Sequence, residues 1–153
     1  MDKISLIESA TKLKPVSSTS IGEYQQRAEK ITGVMNERML QRSDLETLIG
    51  SENIEMMKDN HANHVRFIAS ILKNYNPEVF VDTVLWVFRA YRSHGFTANY
   101  WASQLNTWIE ILKEVLMPES FEEVYPYYEW MQVNIPVFVK LTDEAIEASN
   151  SGH

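Results

Sequence analysis

From Ser51 onward, Ile54, Met57, His61, His64, Ile68, Ile71 and Tyr75 advance by steps of three or four residues, and only a helix gathers such positions into one continuous face. The stripe predicts a long helix whose inward face is apolar except for two imidazoles. No segment shows sustained period-two alternation with strand punctuation, so the chain is expected to be all-α.

Punctuation divides the rest into further helices. Ser20-Ile21-Gly22-Glu23 has the form of a capping box, in which a serine hydroxyl and a glutamate carboxylate each take an orphan backbone N–H. Ile21, Tyr24, Ala28, Ile31 and Met35 then carry a helix to about Gln41. Ser43-Asp44-Leu45-Glu46 repeats the box for one turn, stopped at Gly50. Asn76-Pro77 opens another helix, with Asn as cap and Pro at its first position. Val79–Tyr91 is apolar on nearly every side, which predicts a central helix covered by its neighbours, with Trp86, Val87 and Tyr91 shielded from solvent. Gly95 ends it, and Thr97 caps a helix with the stripe Trp101, Leu105, Trp108, Leu112 and Val115. Pro118 closes that helix, and Ser120-Phe121-Glu122-Glu123 offers a third box. Val124, Tyr128, Met131, Ile135, Phe138 and Leu141 align along a last helix that Pro136 should kink. Residues 1–19, with Pro15 and a Ser/Thr run, read as a mobile arm or short docking helix, residues 20–148 as a single domain and residues 149–153 as a disordered tail.

Composition narrows the function. The 153 residues suit one domain that buries roughly two-thirds of its unfolded surface. A net charge of −7 argues against nucleic acid or an anionic membrane as the main partner. The chain has no cysteine, which removes disulfides, thiolate metal sites and cysteine nucleophiles. The apolar run ending at Tyr91 is broken by Asp82 and Arg89 and is too short to span a bilayer. The N-terminus lacks a basic region followed by an apolar block, so a cytoplasmic protein is expected. With no glycine-rich phosphate loop, nucleophile elbow or paired catalytic carboxylates in the sequence, a binding or signalling role is expected rather than an enzyme.

The stretch Ala90–Trp101 resembles a signature of sensor globins and protoglobins, which end the haem-bearing helix with a His, reach a Gly four residues later and open the next helix with a Trp-Tyr pair. Here Gly95 stands four residues after Tyr91, the pair is inverted to Tyr100-Trp101, and the usual Pro two residues before it is Ala98. The frame of the motif is present and its ligating His is replaced. The chain also resembles the N-terminal domains of stressosome RsbR-type proteins, which keep the globin fold and often lack haem. The resemblance implies a globin-like helical bundle over roughly residues 20–148. It further implies a bacterial-type sensory or regulatory module, without haem, that responds to a small apolar ligand or to another signalling protein.

That frame implies a ligand pocket among Met57, His61, His64, Val87, Tyr91 and Trp101. Should haem be the ligand of a gas sensor or carrier, His64, His94 or Tyr91 would hold its iron. The plainer reading makes His61 and His64 core histidines bonded to neighbours, Tyr91 a space-filling side chain, and His94 a helix C-terminal cap. The pocket would then be filled by the chain's own side chains in a purely structural interaction protein. His61 and His64 supply only two ligands for a metal, so no metal site is expected. Arg89, Arg92 and Asp82 read as solvated or inter-subunit ion pairs. Trp108, Tyr125, Tyr127, Tyr128 and Trp130 exceed what one buried stripe can use, which implies a homodimer through residues 98–142 with these aromatics as anchors.

Overall fold

The computed structural model describes residues 2–151. Among them are nine helices and no strand: α1 (Lys3–Ala10), α2 (Ser18–Gln26), α3 (Ala28–Leu40), α4 (Leu45–Ile49), α5 (Ile54–Lys73), α6 (Pro77–Arg92), α7 (Ala98–Val115), α8 (Pro118–Val133) and α9 (Ile135–Ser151). The fold is an all-α bundle. One side packs α3 against α5 and α7, with α2 bridging α5 and α8; on the other, α6 lies on α9 and α1. Leu6 and Ala10 of α1 are buried, so this segment is a helix docked onto α6. At the other end the backbone stays helical to Ser151, where a disordered tail was expected; residues 152 and 153 lie outside the described residues.

Local chemistry fixed several boundaries as the sequence indicates. The Asn76 side chain accepts from Val79 N–H, with Pro77 at the first position of α6. The Thr97 hydroxyl accepts from Tyr100 N–H at the start of α7. Gly50 and Gly95 both have positive φ, at 83° and 100°, and the turns they occupy lie against each other. The Asn53 amide clamps that junction by donating to Ile49 O at 2.7 Å and His94 O at 2.8 Å.

Two of the expected capping boxes serve another purpose. Ser17, not Ser20, caps α2, and α8 begins at Pro118, so that Ser120 lies inside the helix. Glu23 and Glu123 instead cap each other's helices. Glu123 accepts from Ser17 N–H at 2.8 Å and from the Ser17 and Ser20 hydroxyls, while Glu23 accepts from Met117 N–H at 2.9 Å, at the start of α8. The Ser20 hydroxyl, with the Ser17 groups, holds the Glu123 carboxyl below the usual carboxylate range. A carboxylate near a helix N-terminus is favourable whichever chain segment supplies it, and tertiary packing brought the distant one closer. Asp44 likewise makes no side-chain cap to α4.

The expected first long helix is divided at Arg27, and the expected kink at Pro136 is a break at Asn134 that separates α8 from α9. Pro136 has no N–H to bond the carbonyl four residues back, and the Asn134 amide takes Trp130 O at 2.8 Å at that point. Helix α6 is not covered on all sides. Phe80, Val81, Val84 and Phe88 face the core, whereas Val79 and Trp86 are 49% and 60% exposed. Asp82 and Arg89 share that outer side, and these charges one heptad apart mark it. Asp82 pairs with Lys3 at 2.5 Å, and Arg92 pairs with Asp143 at 2.6 Å and donates to the Thr142 hydroxyl. Both pairs lie within the chain.

Four of the five aromatics expected to anchor a homodimer are core residues. Trp108, Tyr127 and Tyr128 are essentially inaccessible and Trp130 is buried, while Tyr125 is half-buried against Phe121. The Tyr127 hydroxyl donates to Lys14 O and the Trp130 indole to the Ser9 hydroxyl. The N-terminal segment uses the aromatic surplus that had suggested a second copy.

Candidate functional site

Helices α5 and α6 meet across a cavity of about 270 Å³. From α5 its wall takes Asn60, Asn63, His64 and Phe67; from α6, Thr83, Val84, Trp86, Val87, Phe88 and Tyr91. Trp101, Gln104 and Leu105 of α7 form the third side, and Met131 of α8 and Phe138 of α9 complete it. Phe88 stacks on Trp101 at 4.5 Å between ring centres and meets Phe138 edge-on, so the apolar wall is itself well packed. Of the expected pocket residues, His64, Val87, Tyr91 and Trp101 line this cavity. Met57 and His61 do not: both are fully buried, and His61 points into a hydrogen-bonded cluster with Asn36 and Tyr100.

That cluster is closely hydrogen-bonded. His61 Nδ1 lies 2.6 Å from Asn36 Oδ1 and its Nε2 lies 3.2 Å from the Tyr100 hydroxyl. Tyr100 donates to Asn60 Oδ1 at 2.8 Å, and Gln104 Nε2 donates to the same oxygen at 2.7 Å and to the Tyr100 hydroxyl at 2.8 Å. Asn60 and Gln104 therefore reach the cavity from a fixed network. Sequence reasoning missed both. Their signal was a polar residue beside each apolar stripe, Asn60 four residues before His64 and Gln104 three after Trp101.

His64 belongs to a second group. Its Nε2 is 2.9 Å from the Tyr128 hydroxyl, which lies 2.7 Å from that of Tyr24, and its ring stacks on Trp108 at 4.8 Å. Burial pushes both histidines down to about 3, so both imidazoles are neutral at ordinary pH; His64 is lowered further by its proximity to His61. Burial raises the Tyr91 hydroxyl, with the Asn60 and Asn63 side chains drawing it back. Tyr91 is half-buried, edge-on to Phe96 and Trp101. One polar atom of the wall residues stands out: Trp101 is 4% exposed and its indole N–H has no acceptor among the described residues.

The wall fits haem poorly. His94 is exposed outside the cavity, with Nδ1 2.9 Å from Ala90 O at the end of α6, the C-terminal position the sequence suggested. His64 has one nitrogen engaged by Tyr128, and the Tyr91 hydroxyl interacts with the Asn60 and Asn63 side chains. An engineered cavity of about 150 Å³ takes benzene, so on that scale a haem macrocycle requires roughly four times the space found here. Among the described residues no three His, Cys, Asp or Glu come together in a metal-holding group, and no helix is long and apolar enough to cross a membrane. No protein-family model, curated protein or solved structure matches this chain.

Proposed function

We propose that this chain is a haem-free sensory or regulatory binding module that takes a small, largely apolar ligand between α5 and α6. The observation that carries the reading is the cavity of about 270 Å³ whose wall includes Trp86, a side chain 60% exposed on the outer face of α6. One residue thus touches both the ligand space and the surface. A ligand that fills the cavity alters the seating of α6 on α9 and α1, and a signalling partner reads the change on the surface around Trp86. Well-packed interfaces respond to such occupancy by discrete repacking rather than by continuous deformation. The globin-like assignment draws support from Tyr91 and Trp101, which meet edge-on at 6.0 Å between ring centres on the cavity wall, on either side of the Gly95 turn. A binding role rather than catalysis is supported by a wall whose titratable groups are a neutral imidazole and a phenol of raised pKa. The test is hydrogen exchange along residues 83–91 with and without small neutral aromatic compounds that raise the melting temperature. Slower exchange in α6 supports the proposal. If no compound raises the melting temperature, the alternative stands, a structural protein whose pocket is filled from within.

A further inference from the structure

Two buried tyrosines and His64 form a hydrogen-bonded chain that ends at the cavity. Tyr24 and Tyr128 are fully buried, their hydroxyls lie 2.7 Å apart, and the Tyr128 hydroxyl is 2.9 Å from His64 Nε2. The Tyr24 hydroxyl has no other hydrogen-bond partner among the described residues, so its proton is satisfied only by donation to Tyr128. Tyr128 must then donate to His64 Nε2. A neutral imidazole carries one proton, and with Nε2 accepting, that proton is on Nδ1. The chain therefore makes His64 a hydrogen-bond donor through its other nitrogen.

His64 is half-buried and lines the cavity. Trp108 covers a face of its ring at 4.8 Å and Tyr128 covers the Nε2 edge, while Nδ1 has no hydrogen bond among the described residues. Unlike the Trp101 and Trp108 indole nitrogens, Nδ1 is not sealed off from water. The other polar groups of the wall are more fully engaged or stand elsewhere. Asn60 Oδ1 accepts from Tyr100 and Gln104, Asn63 Oδ1 accepts from Arg66, and the Tyr91 hydroxyl interacts with the Asn60 and Asn63 side chains. Thr83 precedes Tyr91 by about 12 Å along α6, so the two cannot meet the same ligand atom. A ligand hydroxyl would need an acceptor for its own proton, and the Asn60 and Asn63 oxygens are taken; a carbonyl oxygen has no such need. No Asp, Glu, Lys or Arg lines the cavity, so a formal charge enclosed there would lack a counter-charge. Phe67, Val84, Phe88, Leu105 and Phe138 supply apolar surface for the rest of a guest. Resting on the reading of the cavity as a ligand site, we propose that its ligand is an uncharged molecule with an apolar body and a carbonyl-type oxygen that accepts the His64 Nδ1–H.

Acetophenone, α-methylstyrene and benzoate test this as a matched set of nearly equal size and shape. The first carries a carbonyl oxygen where the second carries a methylene group, and the third carries a charged carboxylate. Titration of the full chain at neutral pH is expected to show acetophenone binding about 10-fold tighter than α-methylstyrene, which leaves the His64 donor unpaired, and benzoate binding weakest. In nitrogen NMR of the isotopically labelled wild-type chain, His64 should show its proton on Nδ1 before any compound is added. The Nδ1–H resonance should move downfield with acetophenone and far less with α-methylstyrene. Tyr128→Phe frees Nε2 from its donor and should shrink the preference while α-methylstyrene still binds; the wild-type measurements stand even if that variant fails to fold. Equal or tighter binding of α-methylstyrene by the wild-type chain, or a His64 proton on Nε2, would overturn the carbonyl assignment and leave the ligand site standing. Tightest binding of benzoate would overturn the uncharged class. Binding of none of the three would overturn both the assignment and the reading of the cavity.

Discussion

His61 and His64 stand one turn apart on α5, are both neutral, and have the same lowered pKa of about 3, yet they inhabit opposite kinds of interior. Around His61, which is fully buried, Asn36, Tyr100, Asn60 and Gln104 form a hydrogen-bonded cluster. Around His64 one side is closed by Trp108 and Tyr128 and the other borders the cavity. The difference comes from the partners of α5. On the His61 side α3 packs directly against α5, whereas α6 lies on α9 and α1 and stands off from α5. Identical residues on one stripe thus become a structural buttress and part of a cavity wall, according to how closely the next helix approaches.

Acid should expose the largest effect. Each histidine takes a proton in the unfolded chain near pH 6.5 but in the folded protein only near pH 3. The unfolded state therefore binds more protons throughout that window. Stability is fully present above about pH 6.5 and falls as the pH drops toward 3, by roughly 1 kcal/mol per pH unit for each histidine. Urea unfolding at stepped pH checks this, with His61→Gln and His64→Gln each expected to remove about half of the slope. An unchanged slope in His64→Gln would mean that the cavity side is wet enough to leave His64 with an ordinary pKa, and the comparison would sharpen into dry against wet.

Next in size is Trp108→Ala, on the filled side, expected to destabilise by about 3–5 kcal/mol because a fully buried indole leaves a void that its neighbours cannot close. Tyr128→Phe leaves His64 Nε2 and the Tyr24 hydroxyl each short of a partner and should destabilise by about 1–3 kcal/mol, measured by thermal or urea unfolding. Smaller still is an added methylene, which should have opposite signs in the two regions. Val84→Ile, on the cavity wall, should stabilise by up to about 0.8 kcal/mol, whereas Val124→Ile, fully buried away from it, should destabilise by about 1 kcal/mol or more. Destabilisation by both would show that the cavity side is as tightly packed as the other. The smallest expected response is to Tyr91→His, which restores an imidazole to the motif but not the space for a macrocycle, and should remain colourless when purified with haem supplied.

The helices were largely legible because their signals are local. The Ile54–Tyr75 stripe, the Asn76-Pro77 start, the Thr97 cap and the Gly50 and Gly95 stops depend on residues within a few positions of one another. What escaped was non-local. Glu23 and Glu123 sit where a self-capping glutamate should, and only the approach of α2 and α8 exchanges their roles. The aromatic excess of α8 was visible, but not that the N-terminal segment would use it through Lys14 and Ser9. The candidate site divides the same way. His64, Val87, Tyr91 and Trp101 follow from their helical faces, while Met57 and His61 share the His64 stripe and fall outside the cavity because periodicity gives a face and not the distance to the neighbouring helix.

The space between α5 and α6 should accept a guest, whereas the space around His61 should not. Xenon, an apolar atom that needs no particular hydrogen bond, tests it most directly in crystals under xenon pressure. Xenon is expected in contact with Val84, Val87 and Phe88 and not beside His61 or Met57. Crystals that take up no xenon between α5 and α6, or that take it up beside His61, would contradict it.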